Sequence, residues 1–384
     1  MSKKISILCP NMASNCLGRA YILAEILQKD FEVEIIGPLY GKEVWPPCAN
    51  SPAKRDPSAR GKIKYKIFPG RSLPWLLFYL PSWLKKIDGD IIYASKFHLT
   101  SFGLGLLKKL FSGKKLILDI DDWEPGAFLS MPRRKRYKKA ILNFFNPFSY
   151  CWIFLMSKLS FLADDTTVAS NFLKKKYGGT IIPHGRNHLK LNPAKYSQDK
   201  AKQKLNLKGK KIVMFLGTPT LHKGILDLLE ATKNINEIQV VIVGVDNNPF
   251  SLRIQKEYPH PKYIGMIPFS EVPEYLIAAD IVIIPQRGDK LYSIAQTPAK
   301  VFDAMCLAKP IIATTVGDLP KILDGCGVII EPAKTTLLKK AILDLIKNPT
   351  KAKSLGEKAR LKCINKYSYQ VLAKKIKPLF EKIR

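Results

Sequence analysis

The sequence predicts an α/β protein made of two doubly wound domains, each with a parallel sheet. The chain has 384 residues, which exceeds one ordinary core and suits two domains. Short apolar runs alternate with stretches of helical period, as in strand–helix–strand units. This alternation is interrupted by a polar, lysine-rich stretch at residues 192–210 and then starts again. We therefore expect an N-terminal domain over residues 1–195, a C-terminal domain over 196–366, and a final helix over 367–384 that could fold back on the first domain.

The elements of each domain follow from the same two periodicities. Short apolar runs predict strands, and apolar residues at helical spacing predict helices. In the first domain the predicted strands are residues 4–10, 31–37, 90–95, 115–120, 166–169 and 180–183, with a helix over 19–29. In the second domain the predicted strands are 211–216, 239–243, 263–264, 281–284, 310–314 and 327–330, with helices over 225–233, 272–278, 300–307 and 337–347.

The charge of the chain is strongly positive, with 63 Lys and Arg against 31 Asp and Glu and a formal net charge of +32. Such an excess attracts nucleic acid, anionic bilayers or phosphorylated substrates. A generally lysine-rich composition is the alternative explanation. The seven cysteines are scattered and form no CxxC pair, so neither a disulfide framework nor a zinc site is indicated. The short apolar start reads as a first strand and not as a signal peptide, which favours a cytoplasmic location.

Residues 131–163 differ from the rest of the chain. Six of the seven residues at 133–139 are basic, and an aromatic, apolar segment follows them. Its clean apolar runs are shorter than the ~18 residues that a spanning helix needs. A basic segment beside aromatic residues is typical of a helix lying on anionic lipid. We expect peripheral attachment to the inner face of a membrane through residues 133–139 and the following aromatics; a helix buried against the first domain is the alternative.

Lys300 and Asp303 stand three residues apart at the start of a predicted helix, on one face. The preceding loop is Gln296-Thr297-Pro298-Ala299. A lysine near a helix N-terminus favours a diphosphate, and a carboxylate can accept hydrogen bonds from both hydroxyls of a ribose. A surface ion pair would explain the spacing as well. A second stretch, Gly217-Thr218-Pro219-Thr220-Leu221-His222-Lys223-Gly224, follows a strand and precedes a helix, where Lys223 could reach a phosphate.

The order of these pieces resembles the family 4 glycosyltransferases of the GT-B fold. The second domain matches their succession of strand, "G…KG", helix, "G.vp", "aDv.v.P", a phosphate loop with Lys and an acid, and "aMa.gkPiia" over residues 211–320. The first domain matches at Gly18-Arg19, at the strand end Asp121-Asp122-Trp123-Glu124, and at Ile182-Pro183-His184-Gly185. The resemblance implies two Rossmann-like domains facing across a cleft, with a nucleoside diphosphate sugar held mainly by the second.

Carried over by position, the resemblance implies a role for each matching residue. Lys223 and Lys300 would bind the donor diphosphate, and Asp303 the ribose. The backbone of two loops in the second domain and of the first loop in the first domain would also contact the donor. These contacts would involve Gly217, Thr218, Gln296, Thr297, Pro298 and Gly18. The backbone around Met266 and Ile267 would read the base. On the acceptor side, the candidates are Lys96, His98, Asp121 and His184.

Two departures from the family pattern concern specificity. Many members carry two glutamates eight residues apart, whereas this chain has Ala295 and Asp303, so the sugar contact differs. The usual acceptor-side histidine is absent from its expected place, where Lys96 stands instead and could take an anionic acceptor.

The resemblance and the residues together predict a hexosyltransferase-type enzyme of the cytoplasmic membrane face. It would transfer a sugar from a nucleoside diphosphate to a lipid-linked or cell-envelope glycan, with the retention of configuration that the family shows. No metal and no cofactor are expected, because lysines can stabilise the leaving diphosphate. The alternatives are a GT-B-like sugar-nucleotide epimerase and a basic nucleic-acid-binding protein. The second lacks a helix-turn-helix or an aromatic-interleaved basic sheet, so no nucleic-acid partner is expected.

Overall fold

The protein forms two compact units in a computed structural model that describes residues 3–49, 63–207 and 209–381. Unit 1 comprises Met1–Pro183 with Leu372–Arg384, and unit 2 comprises His184–Val371. The expected boundary after residue 195 lies inside unit 2. Across the described residues, no helix combines the length and apolar character needed to cross a membrane.

Unit 1 is built on a parallel sheet of seven described strands in the order β3-β2-β1-β4-β5-β6-β7. The strands are β1 (Lys4–Leu8), β2 (Glu32–Leu39), β3 (Lys64–Pro69), β4 (Ile91–Ser95), β5 (Lys115–Ile120), β6 (Asp165–Val168) and β7 (Thr180–Ile181). Its α-helices are α1 (Cys16–Leu27), α2 (Pro46–Ala49), α3 (Trp75–Lys86), α4 (Leu104–Ser112), α5 (Glu124–Leu129), α6 (Arg133–Leu142), α7 (Tyr150–Lys158) and α8 (Asn171–Tyr177). A π-helical turn, Leu99–Gly103, precedes α4, and a 3-10 turn, Leu159–Leu162, follows α7.

Unit 2 repeats this plan with six described parallel strands in the order β10-β9-β8-β11-β12-β13. The strands are β8 (Lys211–Leu216), β9 (Ile238–Val245), β10 (Lys262–Gly265), β11 (Ile281–Ile284), β12 (Ile311–Thr314) and β13 (Val328–Ile330). Its α-helices are α9 (Gln198–Lys204), α10 (Ile225–Thr232), α11 (Pro249–Glu257), α12 (Val272–Ala278), α13 (Leu291–Ala295), α14 (Lys300–Cys306), α15 (Leu319–Leu323), α16 (Thr335–Lys347) and α17 (Pro349–Lys362). Helix α18 (Tyr369–Glu381) begins in unit 2 and continues into unit 1, where Phe380 packs against Phe31 and Tyr93.

The central strands are nearly uniformly apolar because helices cover both faces of a parallel sheet. Strands β4, β11 and β12 are buried along their whole length. In both sheets the strand order reverses direction beside the first strand, between β1 and β4 and between β8 and β11. Ligands of doubly wound sheets bind outside the carboxyl ends of the strands at such switch points.

The sequence did not reveal β3 and α3, which lie between two predicted strands. The charged residues of β3 and Pro81 inside α3 obscure the usual periods. Residues 131–163 form several short helices, which include α6 and α7.

The large exposed aromatic side chains are unevenly distributed between the units. Within the described chain, one belongs to unit 2, Phe269. Those of unit 1 are Trp75, Phe78, Tyr79, Phe111, Tyr137, Phe144, Phe145, Phe154 and Phe161.

Candidate functional site

The carboxyl end of β8 and the start of α14 meet in unit 2 and bring two lysines together. Gly217 follows β8 with φ of 110°, and a Cβ at this position would lie 3.6 Å from the Lys300 Nζ. The Lys223 Nζ donates to the carbonyl of Thr218 at 2.9 Å. Gly217, Thr218, Lys223 and Lys300 therefore lie together at the switch point, although they come from two separate segments.

The Lys300 amino group lies in an environment that disfavours its charge. One contact favours the charge, the face of the Phe215 ring, whose centroid lies 3.7 Å from the Nζ, but burial outweighs it. Desolvation and the like charge of Lys223 hold the pKa of Lys300 well below its usual range. Among the residues that the structure describes, no carboxylate forms an ion pair with Lys300. An anion bound here would supply the missing negative charge. Because α14 has only seven residues, the lysines and not the helix end are the candidate groups for binding an anion.

Asp303 has a partner that the sequence did not reveal. Both of its carboxylate oxygens accept from the Arg186 guanidinium: Oδ1 from Nε, and Oδ2 from Nη2 at 2.7 Å. Arg186 also donates to the carbonyls of Gly185 and Ala299. The pair is largely buried, and although burial opposes its charge, Asp303 keeps the pKa of Arg186 above its usual range. Asp303 thus holds the loop after Pro183 against α14, whatever else it binds.

The other predicted donor residues occupy two loops of unit 2. Thr297 is buried, and its hydroxyl makes no hydrogen bond within the described chain. The carbonyl of Gln296 accepts from the Gln286 Nε2 at 3.3 Å, and Pro298 follows in the same loop. Met266 is 53% exposed after β10, whereas Ile267 is half-buried and packs against a core cluster of unit 2. These positions leave Met266 accessible to a ligand.

A cavity of about 450 Å³ opens at the same edge of the unit 2 sheet. Residues after β11, β12 and β13 line it, among them Arg287, Thr315 and Pro332. Arg287 is tied to Asp227 by two hydrogen bonds, so its charge is already balanced. The lining also includes the Asp289 carboxylate.

Unit 1 carries a buried charge cluster at the carboxyl ends of β4 and β5. The Lys96 Nζ lies 2.7 Å from the Asp121 Oδ1, 3.0 Å from the Asp122 Oδ2 and 3.6 Å from the Glu124 Oε1. The His98 Nε2 lies 2.9 Å from the same Glu124 oxygen. Lys96 adopts a φ of 67°, an uncommon conformation for a residue with a side chain. Lys96, His98 and Asp121, three of the predicted acceptor-side residues, are therefore neighbours.

The cluster sets one ammonium group against three carboxylates. Burial opposes the Lys96 charge, yet Asp121, Asp122 and Glu124 hold the pKa of Lys96 well above its usual range. Burial raises the pKa of Asp121 to about 6 in spite of Lys96. Burial would also raise the pKa of Glu124, but His98 and Lys96 lower it to about 2. The excess of negative charge argues against an anionic acceptor at Lys96 and suits a hydroxyl group.

The remaining predicted residues have structural neighbours of their own. Gly18 lies buried in the first turn of α1. Next to it, Arg19 makes two hydrogen bonds with Asp119, at 2.8 and 2.7 Å, and donates to the Ile182 carbonyl. His184 is buried in the loop that opens unit 2. No set of three or more His, Cys, Asp or Glu residues in the described ranges could hold a metal ion; whether transfer needs a metal stays a prediction.

Comparison with solved structures establishes the fold. Sucrose-phosphate synthase from Thermosynechococcus elongatus covers 99% of this chain with a TM-score of 0.73 at 17% identity, and 98% of that chain is covered. HepE from Anabaena, solved in complex with UDP-glucose, covers 99% with a TM-score of 0.72 at 14% identity, and 100% of that chain is covered. The fold is therefore GT-B, as predicted, with two parallel-sheet α/β domains.

Sequence comparison also finds glycosyltransferases among the proteins similar to this chain. Residues 197–362 match the family model "Glycosyl transferases group 1". An uncharacterized glycosyltransferase of Methanocaldococcus jannaschii is 26% identical over 44% of this chain and 48% of its own length. The putative teichuronic acid biosynthesis glycosyltransferase TuaC of Bacillus subtilis is 23% identical over 43% of this chain and 41% of its own length. The chain spans about half the length of the curated relatives it matches.

Proposed function

We propose that this protein is a glycosyltransferase that moves a hexose from a nucleoside diphosphate sugar to a lipid-linked or cell-envelope glycan, with retention of configuration. The observation that carries the proposal is the meeting of Lys223 and Lys300 beside Gly217, where burial and the like charge of Lys223 hold the pKa of Lys300 well below its usual range. Glycosyl transfer releases a nucleoside diphosphate, so negative charge develops on the leaving phosphate. Preorganised cations at that position stabilise the transition state more than the bound substrate.

The comparisons support the donor class and the reaction type. The match of residues 197–362 to group 1 glycosyltransferases covers the segments that carry both lysines. HepE, which shares the fold, was solved with UDP-glucose and with UDP. TuaC is named for teichuronic acid biosynthesis, which supports a cell-envelope product. The same match favours transfer over the epimerase and over nucleic-acid binding.

The donor would bind unit 2 through a phosphate end and a nucleoside end. Lys223, Lys300 and the Gly217 backbone would take the diphosphate. Asp303 would accept from the ribose hydroxyls with lone pairs that Arg186 leaves unused, since a carboxylate has about four acceptor positions. Thr297, with its buried unbonded hydroxyl, lies in the loop before α14 and would donate to the same ligand.

The acceptor would approach unit 1 at the Lys96 cluster. Its carboxylates can accept hydrogen bonds from sugar hydroxyls, and the His98 Nδ1 is buried without a hydrogen-bond partner in the described residues. Such groups suit a neutral, polyhydroxylated acceptor. A neutral acceptor at this cluster differs from the sequence-based prediction, in which Lys96 binds an anionic acceptor.

A lipid-linked acceptor would require the protein to reach a bilayer. Helix α6 carries the basic segment 133–139, and of its ten residues only Ala140 is buried. Changing Arg133, Arg134, Lys135 and Arg136 to Gln should release the protein from anionic vesicles in a co-sedimentation assay, since each basic residue contributes about 1 kcal/mol near such a surface. Turnover of a soluble acceptor fragment should be unchanged. Undiminished sedimentation of the variant would rule out this segment as the anchor.

The proposed donor class is tested by a thermal-shift panel of nucleoside diphosphates, their sugar derivatives and inorganic phosphate. A specific donor stabilises the folded protein by mass action, by about 2.7 kcal/mol at one hundred times its Kd. We expect one base to raise the Tm clearly more than the others, and the Lys300→Ala variant to lose that response. If no nucleotide shifts the Tm of the wild-type protein, the donor proposal is wrong.

A further inference from the structure

Unit 1 exposes large apolar side chains on helices other than α6, the helix that carries the basic segment 133–139. Helix α3 exposes Trp75 (62%), Leu77 (54%) and Phe78 (74%), while Leu76 and Trp83 hold it to the unit. The Trp83 ring stacks on Phe68 with centroids 4.1 Å apart. Helix α3 is thus anchored on one side and presents large apolar side chains on the other.

Backbone hydrogen bonding joins α3 to the segment that follows α6. The amide of Leu73, two residues before α3, donates to the Phe145 carbonyl at 2.9 Å. Phe144 and Phe145 are both exposed, and the Phe144 carbonyl accepts from the Trp152 indole of α7. The exposed aromatics at the start of α3 therefore adjoin those between α6 and α7.

Helix α4 links the same surface at its other end. The Lys108 Nζ donates to the Leu84 carbonyl at the end of α3, and the Lys109 Nζ donates to the Leu162 carbonyl after α7. The next residues, Leu110 and Phe111, are 77% and 74% exposed. Helices α3, α4, α6 and α7 consequently form one connected group.

The α-helices of this group carry charges of one sign, although Lys109 of α4 is paired with Asp164, which follows α7. None of α3, α4, α6 and α7 contains Asp or Glu, whereas each carries lysine or arginine. The exposed Arg71 guanidinium lies 5.4 Å from the Tyr79 ring centroid, and the Lys158 amino group 5.5 Å from that of Phe154. Aromatic side chains flanked by cations match the boundary between lipid headgroups and acyl chains.

We propose that α3 and the end of α4 form a second insertion surface for an anionic lipid bilayer, continuous with the α6 segment. Trp75, Phe78 and Phe111 enter the interface, while the lysines and arginines around them contact acidic headgroups. This inference rests on the proposed function, because a bilayer would present the lipid-linked acceptor to the enzyme. Lipid contact itself is measured without donor or acceptor, so its failure and that of the transferase proposal are distinguishable.

Tryptophan quenching by brominated lipid tests this insertion directly. Vesicles of anionic phospholipid with brominated acyl chains should quench the wild-type protein more than the Trp75→Phe variant, which keeps an aromatic ring but removes the reporter. The difference isolates Trp75 from the other four tryptophans of the chain, which both proteins share. Equal quenching of the two proteins, or no vesicle binding at all, would overturn the proposal.

A partition assay with a matched control measures how much α3 contributes. The Phe78→Ser variant should bind anionic vesicles roughly tenfold more weakly, because it loses one large apolar side chain from the interface. Leu252→Ser is the control, since Leu252 is 55% exposed on α11 of unit 2, and its binding should match the wild type. If Phe78→Ser instead abolishes self-association in sedimentation velocity and leaves vesicle binding intact, the surface joins two copies of the chain and the lipid proposal fails.

Discussion

Lys96 in unit 1 and Lys300 in unit 2 occupy comparable places and have opposite electrostatic surroundings. Each lies at the carboxyl edge of a parallel sheet with the same strand order. Three carboxylates raise the pKa of Lys96 against the effect of burial, whereas desolvation and Lys223 lower the pKa of Lys300. A lysine at a sheet edge is therefore not by itself an anion site. The carboxylates around it decide whether its charge is already balanced or is available to a ligand.

The largest expected effect concerns stability, where the two lysines should respond in opposite directions. Lys96→Met leaves buried carboxylates without their cation, and breaking such a buried pair costs about 3–5 kcal/mol. Lys300→Met removes a disfavoured charge and keeps the packing of the side-chain stem, so the free energy of unfolding should rise. Urea denaturation of both variants measures this. Destabilisation of similar size in both would erase the contrast between the units.

Turnover should depend on the cations of unit 2. Lys300→Ala and Lys223→Ala should each lower kcat roughly 100-fold or more, the usual loss when one preorganised donor to a developing negative charge is removed. Lys347→Ala, an exposed lysine of α16 in the same unit, serves as the control. Steady-state kinetics with the donor found in the thermal-shift panel measures the change. Wild-type rates in both site variants would refute the phosphate assignment.

The pH dependence of nucleotide binding should reveal the lowered pKa of Lys300. A phosphate favours the charged amine, so affinity is full below the lowered pKa of the free protein and falls as pH rises above it, towards tenfold per pH unit. The decline should begin below the usual titration range of lysine. Lys300→Arg stays charged and should flatten the profile in isothermal titration calorimetry. Identical profiles for the two proteins would show that Lys300 does not bind the phosphate.

The smallest expected effect separates the two uses of Asp303. Asp303→Asn should weaken nucleotide binding roughly fivefold, more than Asp303→Glu, because an amide offers one acceptor oxygen and an unwanted donor. Both variants also disturb Arg186, so affinity is compared by calorimetry at a temperature where both are folded. Asp344→Asn, which disturbs an exposed ion pair with Lys351 on the same unit, is the control. Equal nucleotide affinity of the two Asp303 variants would show that Asp303 pairs with Arg186 and does not bind the ribose.

The sequence by itself predicted two doubly wound α/β domains, because strands buried on both faces leave continuous apolar runs and the linking helices keep their own period. The GT-B arrangement followed from the resemblance of its motifs to a known family. It also singled out Lys223 and Lys300, since their local context of strand, glycine, loop and helix is contiguous in the chain. It missed β3 and α3, where charged residues and Pro81 obscure the periods.

Only the tertiary structure decided how these charges are balanced. Arg186 lies 117 residues from Asp303 in the chain, and Lys96 lies 26 residues from Asp122, so no local pattern records either pair. The joining of α3 to Phe145 likewise depends on one long-range backbone hydrogen bond. Sequence periodicity reports which face of an element is buried. The charge of a site depends on side chains that folding brings together from distant segments.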